Sequence, residues 1–192
     1  MQNTNQFISL SEAALQKLLK FYALRYLSRY STSKHKLHTF LQKKIQKYYT
    51  DIDFEVLNSA IEKIVNEMEN LGYINDQLYA KYKSSSSLSK GKSLFTIEYE
   101  LQEKGIDKQL VKANFNSEYS EDDINLYSAL KLIKRKKFGY FNVNPLDDGL
   151  NDKEITSMMR KGFNYDTIKQ ALRMPKDAAE NYMLAMKDNL YL

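Results

Sequence analysis

Arg25 and Arg29 stand four residues apart, as do Lys43 and Lys47, with Lys44 between the latter two. On a helix, like charges at this spacing repel by about 0.2–0.5 kcal/mol per pair. An anionic partner turns that repulsion into affinity. Tyr22, Tyr26, Tyr30, Tyr48 and Tyr49 lie among these cations. Basic residues interleaved with tyrosines suit contact with nucleic acid or a protein hot spot. The same spacing also suits tyrosines that face a core while the lysines are solvated, and the pattern alone leaves both readings open. A second basic run, Lys131-Leu132-Ile133-Lys134-Arg135-Lys136-Lys137, fits the last turns of a helix. There it complements the negative end of the helix dipole and is placed to touch phosphates.

Other chemistry finds little support. Gly91-Lys92-Ser93 resembles the end of a phosphate-binding loop, but Ser86 stands where the pattern needs its first glycine, and no strand precedes it. His35 and His38 share a helical spacing, yet zinc needs a third protein ligand and no other His or Cys exists. Their neighbours Lys34 and Lys36 also repel a cation, so surface histidines are expected and no metal or cofactor. With no Cys and two His, a nucleophile activated by a base is not expected either. Asp51, Asp53, Asp76, Asp107, Asp122 and Asp123 fall at helix-capping positions. The chain reads as a binder without catalytic residues.

The elements that would carry these groups are helices. Only 6 Gly and 2 Pro interrupt 192 residues, and good helix formers fill much of the rest. Leu15, Leu18, Leu19, Tyr22, Tyr26 and Tyr30 recur at helical steps after the N-cap candidate Ser11. A second helix follows Ser33 with Leu37, Phe40, Leu41 and Ile45. A third follows Asp53 with Val56, Leu57, Ile61, Ile64, Val65 and Met68, and ends at Leu71-Gly72. Charge is uneven along this path. Residues 1–50 hold nine Lys or Arg against one acid, Glu12, for +8, whereas the whole chain is +5. The segment 51–100 holds five bases against nine acids, for −4. Such asymmetry suggests a polyanion or an acidic protein surface as partner. No stretch approaches a membrane span, and residues 1–6 lack the features of a secretory signal, so a cytoplasmic protein with no membrane contact is expected.

Helix ends follow a repeated grammar. Lys104-Gly105-Ile106-Asp107 reads as helix end, glycine, an apolar residue packing back, then the next N-cap. Lys161-Gly162-Phe163-Asn164 repeats it 57 residues later. Counted from each glycine, Val111 matches Ile168 and Phe115 matches Leu172. Leu71-Gly72-Tyr73-Ile74-Asn75-Asp76 is a looser copy. The expected fold is all-α: an elongated, curved array of three tandem three-helix units plus a C-terminal helix. Residues 1–75 form a tail and the first unit, 76–120 the second, 121–174 the third with a long loop at 138–151, and 175–192 the last helix. Helices are expected at Gln77–Lys83, Leu94–Lys104, Lys108–Phe115, Asp122–Lys136, Lys153–Lys161, Tyr165–Met174 and Lys176–Asp188, with Ser84–Ser89 as a loop.

These residues resemble the RecX family of bacterial regulators of the RecA recombinase over roughly residues 20–174. Ala23-Leu24-Arg25-Tyr26-Leu27-Ser28-Arg29 is similar to the family's opening motif. Leu71-Gly72-Tyr73-Ile74-Asn75-Asp76-Gln77-Leu78-Tyr79-Ala80 resembles its most characteristic stretch. Gly91, Ile97, Glu100, Leu101 and Lys104-Gly105-Ile106 fit the second unit, and Ala129–Lys137, Met158–Phe163 and Ile168 the third. Tyr30 and Thr32 stand where the family commonly carries basic residues, Lys36 replaces an acid, and Asn75 replaces the first of two aspartates. The resemblance implies a modular, three-helix-repeat protein that lies along the groove of a RecA–DNA filament and suppresses ATPase, strand-exchange or coprotease activity; a monomer is expected. Arg25, Arg29, Lys43, Lys44 and Lys47 are its candidate contacts in the first unit, and Lys134, Arg135, Lys136 and Lys137 in the third. A stand-alone basic helical DNA-binding protein, or a helical adaptor for an acidic protein, are the alternatives.

Overall fold

The computed structural model describes residues 11–143, 151–187 and 189–190. The N-terminal tail, residues 144–150 of the expected 138–151 loop, and Asp188 lie outside them. Helix and turn make up the described residues, with no strand among them. None of the described helices is long and apolar enough to cross a membrane. The chain divides into two compact units, residues 1–79 and 80–192.

The first unit holds α1 (Glu12–Leu27), α2 (Lys34–Gln46) and α3 (Phe54–Asn70). Each begins where a side chain satisfies the orphan amides of its first turn. Ser11 accepts from the Ala14 N–H, Ser33 from Lys36, and Asp53 from Glu55 and Val56. One apolar stripe per helix then turns inward. Leu15, Leu19 and Ala23 of α1 meet Leu37, Leu41 and Ile45 of α2, and Leu57, Ile61, Ile64 and Met68 of α3, all fully or nearly fully buried. Burying a leucine or isoleucine stabilises by about 1.5–3 kcal/mol, so these rows hold the unit together. The characteristic Gly72–Asp76 stretch ties its ends. Tyr73 N–H reaches back to the Met68 carbonyl, which closes α3 with the bond pattern of a Schellman motif. Asn75 accepts from Leu78 N–H and caps the next helix. Asp76, expected to cap that same helix, instead accepts from the Lys34 N–H at 2.9 Å and so braces the start of α2. Burial raises the Asp76 carboxyl above its ordinary range, and the Lys34 contacts offset part of that.

The helix α4 runs Asp76–Ser89, so the stretch Ser84–Ser89 is helical, not a loop. Serine is an indifferent helix former, but packing overrides it here. Ser84 and Leu88 are fully buried. The Ser128 hydroxyl lies 3.1 Å from the Leu88 carbonyl and 2.6 Å from that of Lys92.

The second unit continues with α5 (Leu94–Gln102), α6 (Lys108–Lys112), α7 (Glu121–Lys136), a 3-10 turn (Gly139–Phe141), α8 (Asp152–Met159), α9 (Tyr165–Arg173) and α10 (Lys176–Lys187). The expected helices at 108–115 and 153–161 thus end sooner, because a turn and a glycine close them. The repeated grammar has a hydrogen-bonded form. Ile106 N–H bonds to the Leu101 carbonyl and Phe163 N–H to that of Met158, as Tyr73 does in the first unit. In each case the apolar residue after the glycine is paired by backbone with the buried residue five positions earlier.

At the centre lies α7, buried through Ile124, Leu126, Tyr127, Ala129, Leu130, Leu132 and Ile133. It packs against α9, α10, α5 and the 3-10 turn. Apolar residues around most of its circumference fit an element enclosed by neighbours. Its start carries a capping box between Ser120 and Asp123, and the Ser120 hydroxyl holds the Asp123 carboxyl below its ordinary value. At its end Lys137 adopts the left-handed conformation (φ 57°, ψ 46°). A side chain there costs about 1 kcal/mol relative to glycine. Lys137→Gly is therefore expected to stabilise the unit by about that amount, read as a rise in the urea midpoint.

One buried charge works the other way. Glu98 of α5 is 7% exposed, one carboxylate oxygen lacks a hydrogen bond, and Lys108 and Lys112 stand 3.9 Å away. Lys112 is engaged by Glu121. Desolvation raises the Glu98 carboxyl above its ordinary value, against the pull of Lys112 and Lys108. A carboxyl raised by folding binds its proton more readily in the folded state. Its contribution is fully present below the unfolded value and is lost as pH rises through the folded one. Glu98→Gln is expected to raise stability at pH 7 by about 1 kcal/mol and to flatten the fall in urea midpoint above the ordinary glutamate range.

Candidate functional site

In the first unit, α1 and α2 place a row of aromatic and basic side chains around one concavity of about 500 Å³. The local reason is periodicity. Residues 22, 26 and 30 lie one turn apart, beside the buried stripe Leu15-Leu19-Ala23, and 25 and 29 lie beside them. The helix ends at Leu27, but the Arg29 and Tyr30 N–H groups still bond to the Tyr26 carbonyl at 3.1 Å, so the turn carries Arg29 onto the same face. From α2 come Phe40 and, one turn on, Lys44.

Tyr26 stacks on Phe40 with centroids 4.2 Å apart and planes 24° apart, and meets Tyr30 at 5.1 Å. Offset ring pairs of this kind add about 0.5–1.5 kcal/mol beyond burial, which fixes the floor of the cleft. The Lys44 ammonium sits 5.2 Å from the Tyr22 ring and 5.4 Å from the Tyr48 ring, and the Lys47 ammonium also lies 5.4 Å from the Tyr48 ring. Ring faces hold these ammoniums in place while leaving them available to an anion.

The two readings of the tyrosines divide by residue. Tyr22, Tyr26 and Tyr49 are half-buried against the core, whereas Tyr30 and Tyr48 are each 57% exposed. The cations divide too. Lys20 pairs with Glu67, Lys34 with Glu69 and Lys63 with Glu12. Arg25, Arg29, Lys43, Lys44 and Lys47 have no ion pair among the described residues. Three of the five candidates, Arg25, Arg29 and Lys44, line the cleft, while Lys43 and Lys47 lie outside its lining. Phe40, expected as a core residue, packs against the core and also forms part of the cleft wall. Its place four residues before Lys44 was the only sign of that in the sequence.

The second basic run separates into parts. Lys134 pairs with Glu180 of α10 at 2.7 Å and holds that carboxyl below its ordinary value. Lys137 closes α7. Arg135 and Lys136 are exposed and have no ion pair among the described residues. Lys131, half-buried, leans on the Tyr127 ring at 5.0 Å, and desolvation followed by Lys134 and Lys187 lowers its ammonium.

The remaining sequence motifs have structural roles. Gly91 closes α4, Lys92 bonds to Glu100 at 2.6 Å, and the Ser93 hydroxyl caps α5 by accepting from Thr96 N–H. His35 and His38 border a separate concavity with Phe54, Asn58 and Glu62. Among the described residues no group of three His, Cys, Asp or Glu could hold a metal.

Comparison with known proteins gives this arrangement its kin. No protein-family model matches the chain. Regulatory protein RecX of Myxococcus xanthus is 28% identical over 157 residues, covering 78% of this chain and 81% of the relative. Regulatory protein RecX of Listeria monocytogenes is 29% identical over 156 residues, covering 78% and 51%. That of Streptococcus uberis is 32% identical over 129 residues, covering 67% and 47%. The crystal structure of RecX from Lactobacillus salivarius superposes with a TM-score of 0.58 at 21% identity, covering 90% of this chain and 99% of that one. The chain belongs to the RecX family. It spans most of the Myxococcus RecX but only about half of the Listeria and Streptococcus ones. The RecX crystal structure also bears out the all-helical fold.

Proposed function

We propose that this protein is a negative modulator of RecA that binds the RecA–DNA filament and suppresses its ATPase, strand-exchange or coprotease activity. Membership of the RecX family supports the regulatory role. The observation that supports the contact surface is the first-unit cleft, where Arg25, Arg29 and Lys44 converge among aromatic rings with no carboxylate among the described residues of its lining. A filament offers both protein and phosphate, and mixed basic and aromatic surfaces suit it. Lys43 and Lys47 extend the cleft's charge. Lys134, Arg135, Lys136 and Lys137 form a second contact surface, led by Arg135 and Lys136. The protein acts by binding, without catalysis, as a cytoplasmic monomer, and the repeat grammar reflects three related helical units.

Titrating the protein into RecA turning over ATP on single-stranded DNA is expected to give progressive inhibition. An unchanged rate at several-fold excess over filament ends overturns the proposal. Equally tight binding to naked DNA, with a steep salt slope and no need for RecA, favours the stand-alone DNA-binding alternative.

A further inference from the structure

The cleft between α1 and α2 has the dimensions and charge of a small-molecule site. Its volume, about 500 Å³, falls in the range of about 300–1,000 Å³ typical of pockets that hold one organic ligand. Three cations converge on it, and among the described residues no carboxylate lines it. A second concavity of this unit differs: Glu62 borders it, and Lys34 there is paired with Glu69. A single phosphodiester brings one negative charge. Three cations without an ion pair among the described residues, around one space, overmatch a diester and fit a polyphosphate.

The aromatic wall adds a second requirement. Phe40 stacks on Tyr26, and Lys44 lies over the Tyr22 ring. Tyr30, 57% exposed at the rim, keeps a ring surface free for a planar group. Arg25 and Arg29, one turn apart and without ion pairs among the described residues, flank it. Tyrosine and arginine planes stack nucleobases without regard to their sequence.

We propose that this cleft is a binding site for a nucleoside di- or triphosphate, with the polyphosphate on Arg25, Arg29 and Lys44 and the base on Tyr30. The proposal rests on the reading of the cleft as an anion-seeking surface, and a bound nucleotide would compete there with a larger partner.

The test is calorimetric titration of the full chain, without RecA or DNA, using ATP, inorganic tripolyphosphate, adenosine and a single-stranded oligodeoxynucleotide in separate runs. ATP is expected to bind one-to-one, and tripolyphosphate about tenfold more weakly, the difference being the stacked base. Adenosine alone is expected to give no measurable heat. Arg25→Gln and Arg29→Gln should each weaken both polyphosphates about tenfold or more. Tyr30→Ala should bring ATP down to the affinity of tripolyphosphate and leave tripolyphosphate unchanged. These side chains are exposed, and the far-UV helical signal checks each variant's fold. Lys17→Gln, on the same helix but outside the cleft, is expected to change neither. No saturable ATP binding, ATP binding indifferent to Tyr30→Ala and Arg25→Gln, or binding confined to the oligonucleotide overturns the proposal. Because no RecA is present, RecA inhibition without ATP binding sinks only this inference. ATP binding without RecA inhibition sinks only the modulator reading.

Discussion

Reversing Arg25 and Arg29 together, as Arg25→Glu with Arg29→Glu, is expected to abolish suppression of RecA ATPase while leaving the far-UV helical signal unchanged. Both side chains are exposed and neither has an ion pair among the described residues, so the fold loses no ion pair there. Surface changes of that kind usually fall within about 0.5 kcal/mol. The partner loses far more. A hydrogen bond to a charged group is worth about 1.5–3 kcal/mol, and two of them are at stake before repulsion is added. A loss of about 3 kcal/mol raises the half-inhibiting concentration at least about a hundredfold. Net charge falls by four in this variant, so a matched control matters. Lys17→Glu with Lys153→Glu makes the same change at two exposed positions outside both basic surfaces and should keep inhibition. Full inhibition by the arginine variant, or equal loss in the control, would remove the cleft from the mechanism.

How legible these features were depends on whether each was local. Caps and helix ends are local, and the residue types announce them: Ser11, Ser33, Asp53 and Asp107 all cap the helices expected of them. The grammar around Gly105 and Gly162 was readable for the same reason, since six consecutive residues make the bonds that define it. Partners distant in sequence were not readable. Asp76 has the type of a cap, but it braces α2, forty-two residues upstream, and only the packed fold makes that choice. Ser84–Ser89 reads as a loop by propensity, yet Ser84 and Leu88 are buried and Ser128 of α7 reaches the carbonyls that close α4. The candidate cations show the same limit. Lys134 is counted among them, and its pairing with Glu180, forty-six residues away, is not visible in the sequence. Of the five first-unit candidates, Arg25, Arg29 and Lys44 line one cleft and Lys43 and Lys47 do not, and that Tyr26 and Phe40 stack within its wall follows from how α1 meets α2.

Two glycines of equal conformation separate backbone strain from packing. Gly72 (φ +76°) closes α3 and Gly91 (φ +67°) closes α4. A Cβ added at Gly72 meets nothing within 4 Å. Gly72→Ala is therefore expected to cost only the left-handed conformation, about 1 kcal/mol. A Cβ added at Gly91 would lie 2.5 Å from the Leu132 Cβ, 2.8 Å from its Cα and 3.0 Å from its N. Two of those three atoms are backbone of α7, the helix that the whole second unit packs around, so no rotamer change relieves the clash. Overpacking then adds about 1–3 kcal/mol to the same backbone cost, and Gly91→Ala should lose about 3 kcal/mol in all. For a unit of this size that lowers the thermal midpoint by about 10 °C or more, against roughly 5 °C for Gly72→Ala. Circular dichroism melts of the two variants make the comparison, and equal losses would show that α4 and α7 do not approach as closely as the structure places them. The consequence reaches the basic surface as well. The shift needed to admit the methyl group must move α7 against the α4–α5 turn, and α7 is the helix that ends in Lys134, Arg135 and Lys136. A second-unit contact with the filament should thus weaken in Gly91→Ala at temperatures where the helix is still folded, whereas Gly72→Ala should leave it intact.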